Sequence, residues 1–368
     1  MSRIVIIGCG VIGAAIAYEL SLVPNLSITV IDQQPPAQGA TGAALGVLMG
    51  VISHKIKGNA WRMRQSSIQR YETLIPELEA ITGYQIPFNR QGILKLCFEG
   101  EDLTKWEKLI EIRQSQGWNL EIWDSSQLLL QCPQLSSNNI IAGVYSPQDR
   151  QLDPTALTNA LVDAAKHNGV NFQFGVKVDN FKSGKSENLD IDVCPEIQTT
   201  TGKLTADWFI VAAGLGSTPL TASLQQAVDI RPVLGQALHL RIKNHLGDAN
   251  FQPVITGNDV HIVPLSKEEY WVGATVEFSS NHGEIVADAA LLDQVMQQAI
   301  AFCPDLAEAT VIKSWSGLRP RPEARPAPVI GLLPGYSNVL LATGHYRNGV
   351  LLAPATAQAI REAILTEL

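Results

Sequence analysis

The 368-residue chain has little cysteine. Its five residues, Cys9, Cys97, Cys132, Cys194 and Cys303, are scattered, with no CxxC pair and no neighbouring histidine pair at metal-ligand spacing. That pattern argues against a structural zinc site and against a disulfide framework; it fits a reducing compartment, so no metal and a cytoplasmic location are expected. Basic charge is short as well. Lys+Arg 27 against Asp+Glu 35 gives a formal net charge of -8, with no run of Lys and Arg interleaved with aromatics, so nucleic acid is not an expected partner. No stretch approaches the roughly 20 apolar residues that span a bilayer, so no transmembrane segment is expected. Internal repeats, low-complexity tracts and flexible linkers are also missing. What remains is a chain with 46% hydrophobic and 17% charged residues, long enough for two globular domains and suited to small-molecule partners.

The opening MSRIVIIGCGVIGAAIAYEL superficially resembles a signal peptide, but its glycine spacing predicts a different use. The apolar run RIVII ends in Gly8, Gly10 and Gly13, a helical pattern follows, and a second apolar run, SITVID, ends in Asp32. This is the βαβ dinucleotide arrangement. The glycines let the backbone turn and approach a pyrophosphate, the helix N-terminus faces it, and the acid accepts ribose hydroxyls. Residues 38 to 51, QGATGAALGVLMGV, are dense in small residues, with Thr41 the sole hydroxyl. Such a loop suits either backbone contact with a flat ring or phosphate, or a tightly packed helix start.

Further along, helices are predicted over 59–82, 102–116, 153–169 with Asp153 as N-cap and Pro154 at its first position, and 287–302. Period-2 patterning over 230–278 predicts antiparallel strands, a sheet different in kind from the first. Prolines in SGLRPRPEARPAPVIGLLP predict more than a dozen residues without regular structure. After a buried strand NVLLATG comes a terminal helix, with Asn348 and Gly349 at its start and Pro354 early within it. Amides from Gly349 to Leu351 would then point out of that helix and attract negative charge. The strand end Ala212, Ala213, Gly214 suits either a second cofactor edge or a simple tight turn.

Together, GCGVIG with Asp32, TGAALGV, LDPTAL, AAG, PVLGQ, HIVP, VGAT, GLRP and above all GHYRNGVLLAPAT resemble the D-amino-acid oxidase and glycine oxidase family of FAD-dependent oxidoreductases, nearest the glycine oxidases of thiamine biosynthesis. The likeness runs nearly the full length. It implies an α/β fold: a Rossmann-type FAD-binding domain (1–84, 138–229 and 317–368) and a second α+β substrate-binding domain built on a mainly antiparallel sheet (85–137 and 230–316). It also implies non-covalent FAD, because no cysteine follows GLRP. Besides Gly8, Gly10, Gly13 and Asp32, the cofactor contacts implied are Val11, Ile12, Gln33, Thr41, Leu45, Gly46, Val47, Val178, Gly214, His345, Tyr346, Arg347, Asn348, Gly349, Val350 and Leu351.

At the reacting centre the resemblance assigns the substrate carboxylate to Arg319, the amine to the Arg347 backbone carbonyl, and an apolar wall to Val276. An arginine suits that task because its planar fork pairs bidentately with a carboxylate and stays charged. Three positions depart from the family pattern. His261 stands where a tyrosine is usual, Asp259 where a histidine is usual, and Val47 where a methionine is usual. An acid at 259 beside the arginine would repel a carboxylate or reshape the pocket. Arg321 and Arg325 are expected in solvent, and Cys303 inert.

The activity implied is oxidation of a small amino acid or amine (glycine, sarcosine or a small D-amino acid) with oxygen as acceptor and hydrogen peroxide as product, in a possible homo-oligomer. No Ser-His or paired-carboxylate machinery is evident, and hydride transfer to a flavin requires none. Three alternatives stay open from sequence: a dehydrogenase passing electrons to a quinone or carrier, a non-catalytic flavin-binding protein, and an NAD-dependent dehydrogenase.

Overall fold

The computed structural model describes all residues except 137–138, 185–191, 223, 225–226, 267, 280–284 and 368. Two large sheets organise it. The first has six strands in the order Val329–Leu332, Val339–Thr343, Trp208–Val211, Ser2–Ile7, Leu26–Asp32 and Asn171–Phe174. All neighbours in it are parallel except the edge pair Val329–Leu332 with Val339–Thr343.

The unbroken apolar run at the N-terminus follows from burial on both faces. Side chains alternate along a strand, so Ile4 and Ile6 meet one cluster while Val5 and Ile7 meet another. The first cluster contains the helices Val11–Ser21, Gly58–Thr82, Pro154–His167 and the terminal helix Gly349–Glu367. The second is closed by a three-stranded antiparallel meander, Val178–Gly184, Val193–Thr199 and Gly202–Thr205. Local signals set the ends of these helices. Asp153 accepts from the amides of Thr155 and Ala156 at 2.8 and 2.9 Å, and Gly83 closes Gly58–Thr82 at φ 73.

The second sheet has nine strands and is antiparallel but for the pair Ile93–Phe98 with Val254–Gly257. One face packs on the helix Ala289–Phe302 through Val295, Ala299 and Phe302, which meet Leu238, Leu240, Ile262 and Val272. Its other face gathers Ala237, Val254 and Val263 around Leu45, with Val47 and Trp315 alongside. The small-residue loop of the first unit is therefore pressed against the second sheet. Among the described residues no helix is long and apolar enough to cross a membrane.

Two expectations need correction. Prolines were expected to prevent regular structure after Ser316, yet a strand runs from Thr310 to Pro322, paired along its length with Ile230–Arg241 but for a register shift at Ile312. The reason is position. This strand lies at the sheet's edge, and Pro320 and Pro322, two apart, share one orientation, so their missing N–H groups fall on the unpaired side. The expected domain boundaries also divide the nine-stranded sheet: Ile140–Ser146, placed with the FAD-binding unit, belongs to that sheet, and the boundary at 317 falls inside Thr310–Pro322.

Candidate active site

In the parallel sheet the C-terminal strand ends share one edge, the usual ligand edge of such folds. Gly8 follows the first strand at φ +105, where a Cβ would lie 2.5 Å from Ala212 O. Gly13 approaches Gly8 more closely still: its Cβ would meet Gly8 O at 1.9 Å. At Gly10 a Cβ would meet only Thr41 Oγ1, at 3.1 Å, so the approach to the helix start is open. Thr41 Oγ1 accepts from Val11 N at 3.0 Å. The helix has no side-chain cap at Gly10, and the amides of Ile12 and Gly13 have no intrahelical partner to donate to, so they point toward the open side.

Asp32 ends the neighbouring strand. Its Oδ2 accepts from Cys9 N at 2.7 Å and its Oδ1 from Gln34 N at 2.9 Å, which fixes the carboxylate while leaving it half-exposed beside Gln33. Val176 N donates to Asp32 O at 3.0 Å, bringing the strand that starts at buried Val178 to the same edge. On the other side Gly214 opens a turn at φ +55, and its carbonyl accepts from Thr343 Oγ1 at 3.2 Å. Gly46, at φ +71, has the Leu152 carbonyl where its Cβ would be, 1.8 Å away.

The terminal helix starts at this edge too. Gly344 turns at φ +66, Tyr346 holds φ 53, and a short 3-10 turn, Tyr346–Asn348, runs directly into Gly349–Glu367. A bulky residue in the left-handed region costs on the order of 1–3 kcal/mol and is typical of sites where function constrains the backbone. Pro354 has no N–H to offer the Val350 carbonyl four residues earlier. The hydroxyl of fully buried Tyr71 donates to that carbonyl instead, and Ser67 Oγ accepts from Ala355 N at 3.2 Å. The helix Gly58–Thr82 thus buttresses the start of the terminal helix, where Val350 and Leu351 are buried and Asn348 and Gly349 half-exposed. His345 is buried and turned inward, with Nε2 2.9 Å from Thr356 Oγ1; burial pushes its pKa down to about 3.

Arg319 lies where the two sheets meet. Pro320, next to it, is 4.0 Å from the Cβ position of Gly214, and Pro322 is 3.3 Å from that of Gly344. Arg319 Nη1 donates to Leu234 O at 3.1 Å and Thr275 O at 3.0 Å. Among the described residues its Nε and Nη2 have no partner and are not sealed from solvent, and no carboxylate lies within ion-pair distance. Burial lowers its pKa first, then the nearby charge of Arg347, with Tyr346 and Glu277 acting the other way. A half-buried guanidinium of this kind is short of an anion.

His261 is half-buried, its Nδ1 2.7 Å from Thr256 Oγ1. Desolvation pushes its pKa down to about 4; Asp259 opposes this, while Arg347 and Arg319 add to it. Both arginines therefore bear on His261. Val276 is half-buried between Thr275, which holds Arg319, and Glu277; Arg347 is exposed. Asp259 does not take the place expected for it beside Arg319. It sits exposed at φ 63 in the hairpin turn after Asn258, and it is not among the charges that bear on Arg319. Arg321, expected in solvent, is half-exposed, 5.5 Å from the Phe278 ring centroid and 3.8 Å from Glu323. All five cysteines are free and buried, Cys303 with its thiol pushed up to about 12, an inert state.

The DAO family profile, described as FAD dependent oxidoreductase, matches residues 3–363. The chain belongs to the DAO family. Its cofactor is FAD, and the open helix start at Gly10, the fixed Asp32 carboxylate and the glycine-lined sheet edge fit that group. Within the DAO family the chain is 28% identical over 364 residues to the glycine oxidase of Bacillus subtilis, covering 99% of this chain and 93% of that one. It is 29% identical over 371 residues to the bifunctional protein ThiO/ThiG of Trichormus variabilis, 99% of this chain and 53% of that protein. The chain thus spans about half the length of the ThiO/ThiG relatives. The crystal structure of glycine oxidase from Geobacillus kaustophilus has the same fold, with TM-score 0.86 at 24% identity, covering 100% of this chain and 95% of that one.

Sequence reasoning missed several residues that shape the site. Gln236 was visible in PVLGQ and Glu277 just after VGAT, yet neither motif revealed what they bond. Buried Asp149 accepts from the amides of Gly50, Val51 and Ile52 at 2.7 to 2.8 Å. Fully buried Arg113 donates to the carbonyls of Val51, Ser53 and Lys55. Between them they clamp the segment that follows Val47.

Proposed function

We propose that this FAD-dependent oxidoreductase oxidises the C–N bond of a small amino acid or amine, such as glycine, sarcosine or a small D-amino acid. The observation that carries this is Arg319: a guanidinium at the junction of the sheets, held by two carbonyls and, among the described residues, with no carboxylate in ion-pair distance. Its free edge suits a substrate carboxylate. The glycine oxidases among its relatives support the same reading.

FAD, when bound, supplies the hydride acceptor. The chain's residues bind and orient. Arg319 fixes the carboxylate, the Arg347 carbonyl accepts from the amine, and Val276 and Val47 form an apolar wall that excludes water. His261 and His345 are neutral across the working pH range and too weakly basic to hold an amine proton. Positioning therefore supplies most of the rate, and no side-chain base is assigned. The remaining contacts proposed for non-covalent FAD are those lying along the shared sheet edge, from Gly8 to Leu351.

Oxygen is the proposed acceptor and thiamine biosynthesis the proposed pathway. We place the FAD-binding unit at 1–84, 147–229 and 323–368, which keeps the six-stranded and nine-stranded sheets whole. The test is Arg319→Ala. The variant should keep its yellow cofactor and lose at least about 100-fold in kcat/KM, roughly 3 kcal/mol for a buried charge-assisted bidentate contact; unchanged turnover removes Arg319 from the mechanism.

A further inference from the structure

We propose that Glu277 is a positioning residue for Arg319: through Thr275 and Gln236 it fixes the carbonyls that hold Nη1, and so sets the direction of the guanidinium edge left for a carboxylate. This rests on the reading of Arg319 given above.

Glu277 is 7% exposed and has no cation within ion-pair distance among the described residues. Among the described residues its hydrogen bonds all come from neutral donors. Oε1 accepts from the Thr275 hydroxyl and from Gln236 Nε2 at 2.9 Å, and Oε2 accepts from Asp288 N at 2.9 Å. Gln236 Nε2 also donates to Asp288 O at 2.8 Å, tying in the start of the helix Ala289–Phe302. The Thr275 hydroxyl in turn accepts from Gln236 N at 2.8 Å, and Thr275 N donates to Gln236 O at 3.2 Å. Thr275 O is one of the two acceptors of Arg319 Nη1, and the other, Leu234 O, lies two residues before Gln236.

The charge matters because a carboxylate only accepts. It forces the Thr275 hydroxyl and the Gln236 amide to donate toward it, so the network has one polarity; an amide at 277 would allow two. Burying a carboxylate among neutral donors is costly unless the charge is used. Burial pushes the Glu277 pKa up, but Thr275, Gln236, the Asp288 amide and Arg319 together hold it below the usual range, so it is ionised when substrate binds. Glycine at 235 completes the arrangement, since the guanidinium lies where a Cβ would be.

The test uses the FAD-loaded protein and acetate as a carboxylate probe, read by perturbation of the flavin spectrum. Glu277→Gln should keep full flavin content while the acetate Kd and the substrate KM both rise about tenfold and kcat stays within about threefold. A merely structural role would lower the active fraction, and hence kcat, leaving Kd and KM alone. Thr275→Val should reproduce the loss and Thr275→Ser should restore binding, a pair that decides the matter if Glu277→Gln does not fold. Acetate binding by Thr275→Val as tight as wild type overturns the proposal whatever Glu277→Gln does. Acetate bound equally well by Arg319→Ala is a separate result, which removes the carboxylate reading of the site itself.

Discussion

The Arg319 guanidinium lies flat against the α-carbon of Gly235. A Cβ there would come within 2.2 Å of Nη2 and 2.4 Å of Cζ. Gly235 also pairs with Gly317, where a Cβ would meet Ala43 Cβ at 2.2 Å, so the neighbouring position is closed as well. Gly235→Ala should therefore push the guanidinium out of line while leaving the FAD edge of the other sheet untouched. Steady-state kinetics should show KM raised at least about tenfold, equivalent to 1.4 kcal/mol or more, with flavin content unchanged.

Tyr71 reaches from the helix Gly58–Thr82 to the Val350 carbonyl that Pro354 leaves without a donor. Tyr71→Phe strands that carbonyl in a buried place. Thermal or urea unfolding should show a loss of about 1–3 kcal/mol, and FAD should dissociate more readily because the start of the terminal helix is no longer pinned. Equal stability of the variant and the wild type would mean that the helix finds its support elsewhere.

His345 gives a pH prediction with a definite sign. Burial lowers its pKa from 6.5 to about 3, so between those values the unfolded chain binds the proton and the folded chain does not. Stability is then fully present above pH 6.5 and declines as pH falls toward 3, by up to about 1.4 kcal/mol per unit. His261, lowered to about 4, acts in the same direction. Melting curves from pH 7 to pH 4.5 should show this decline, and His345→Gln should flatten it; an identical profile in the variant contradicts a neutral, buried His345.

The nucleotide-binding end was legible from sequence because its glycines answer to backbone approaches that tolerate no other residue, as at Gly8 and Gly13. The terminal helix was legible from its apolar stripe. Patterning predicted the helix over 59–82 that carries Tyr71 but gave no hint that its hydroxyl serves Val350, 279 positions away. Glu277 was silent for a similar reason, since its partners come from a separate strand, the link just before it and a helix start. The prolines misled because whether a missing N–H matters depends on which strand is at the edge, a tertiary fact. Asp259 misled because alignment with a family position does not reveal that the residue turns into solvent at φ 63.

The most direct test of the account is anaerobic titration of the FAD-loaded protein with glycine, sarcosine and D-alanine, following the visible flavin absorbance. At least one should bleach the wild-type flavin, while Arg319→Ala, equally yellow, should stay coloured at the same concentration. A wild-type flavin that none of them bleaches, or an Arg319→Ala flavin that bleaches as readily, would contradict it.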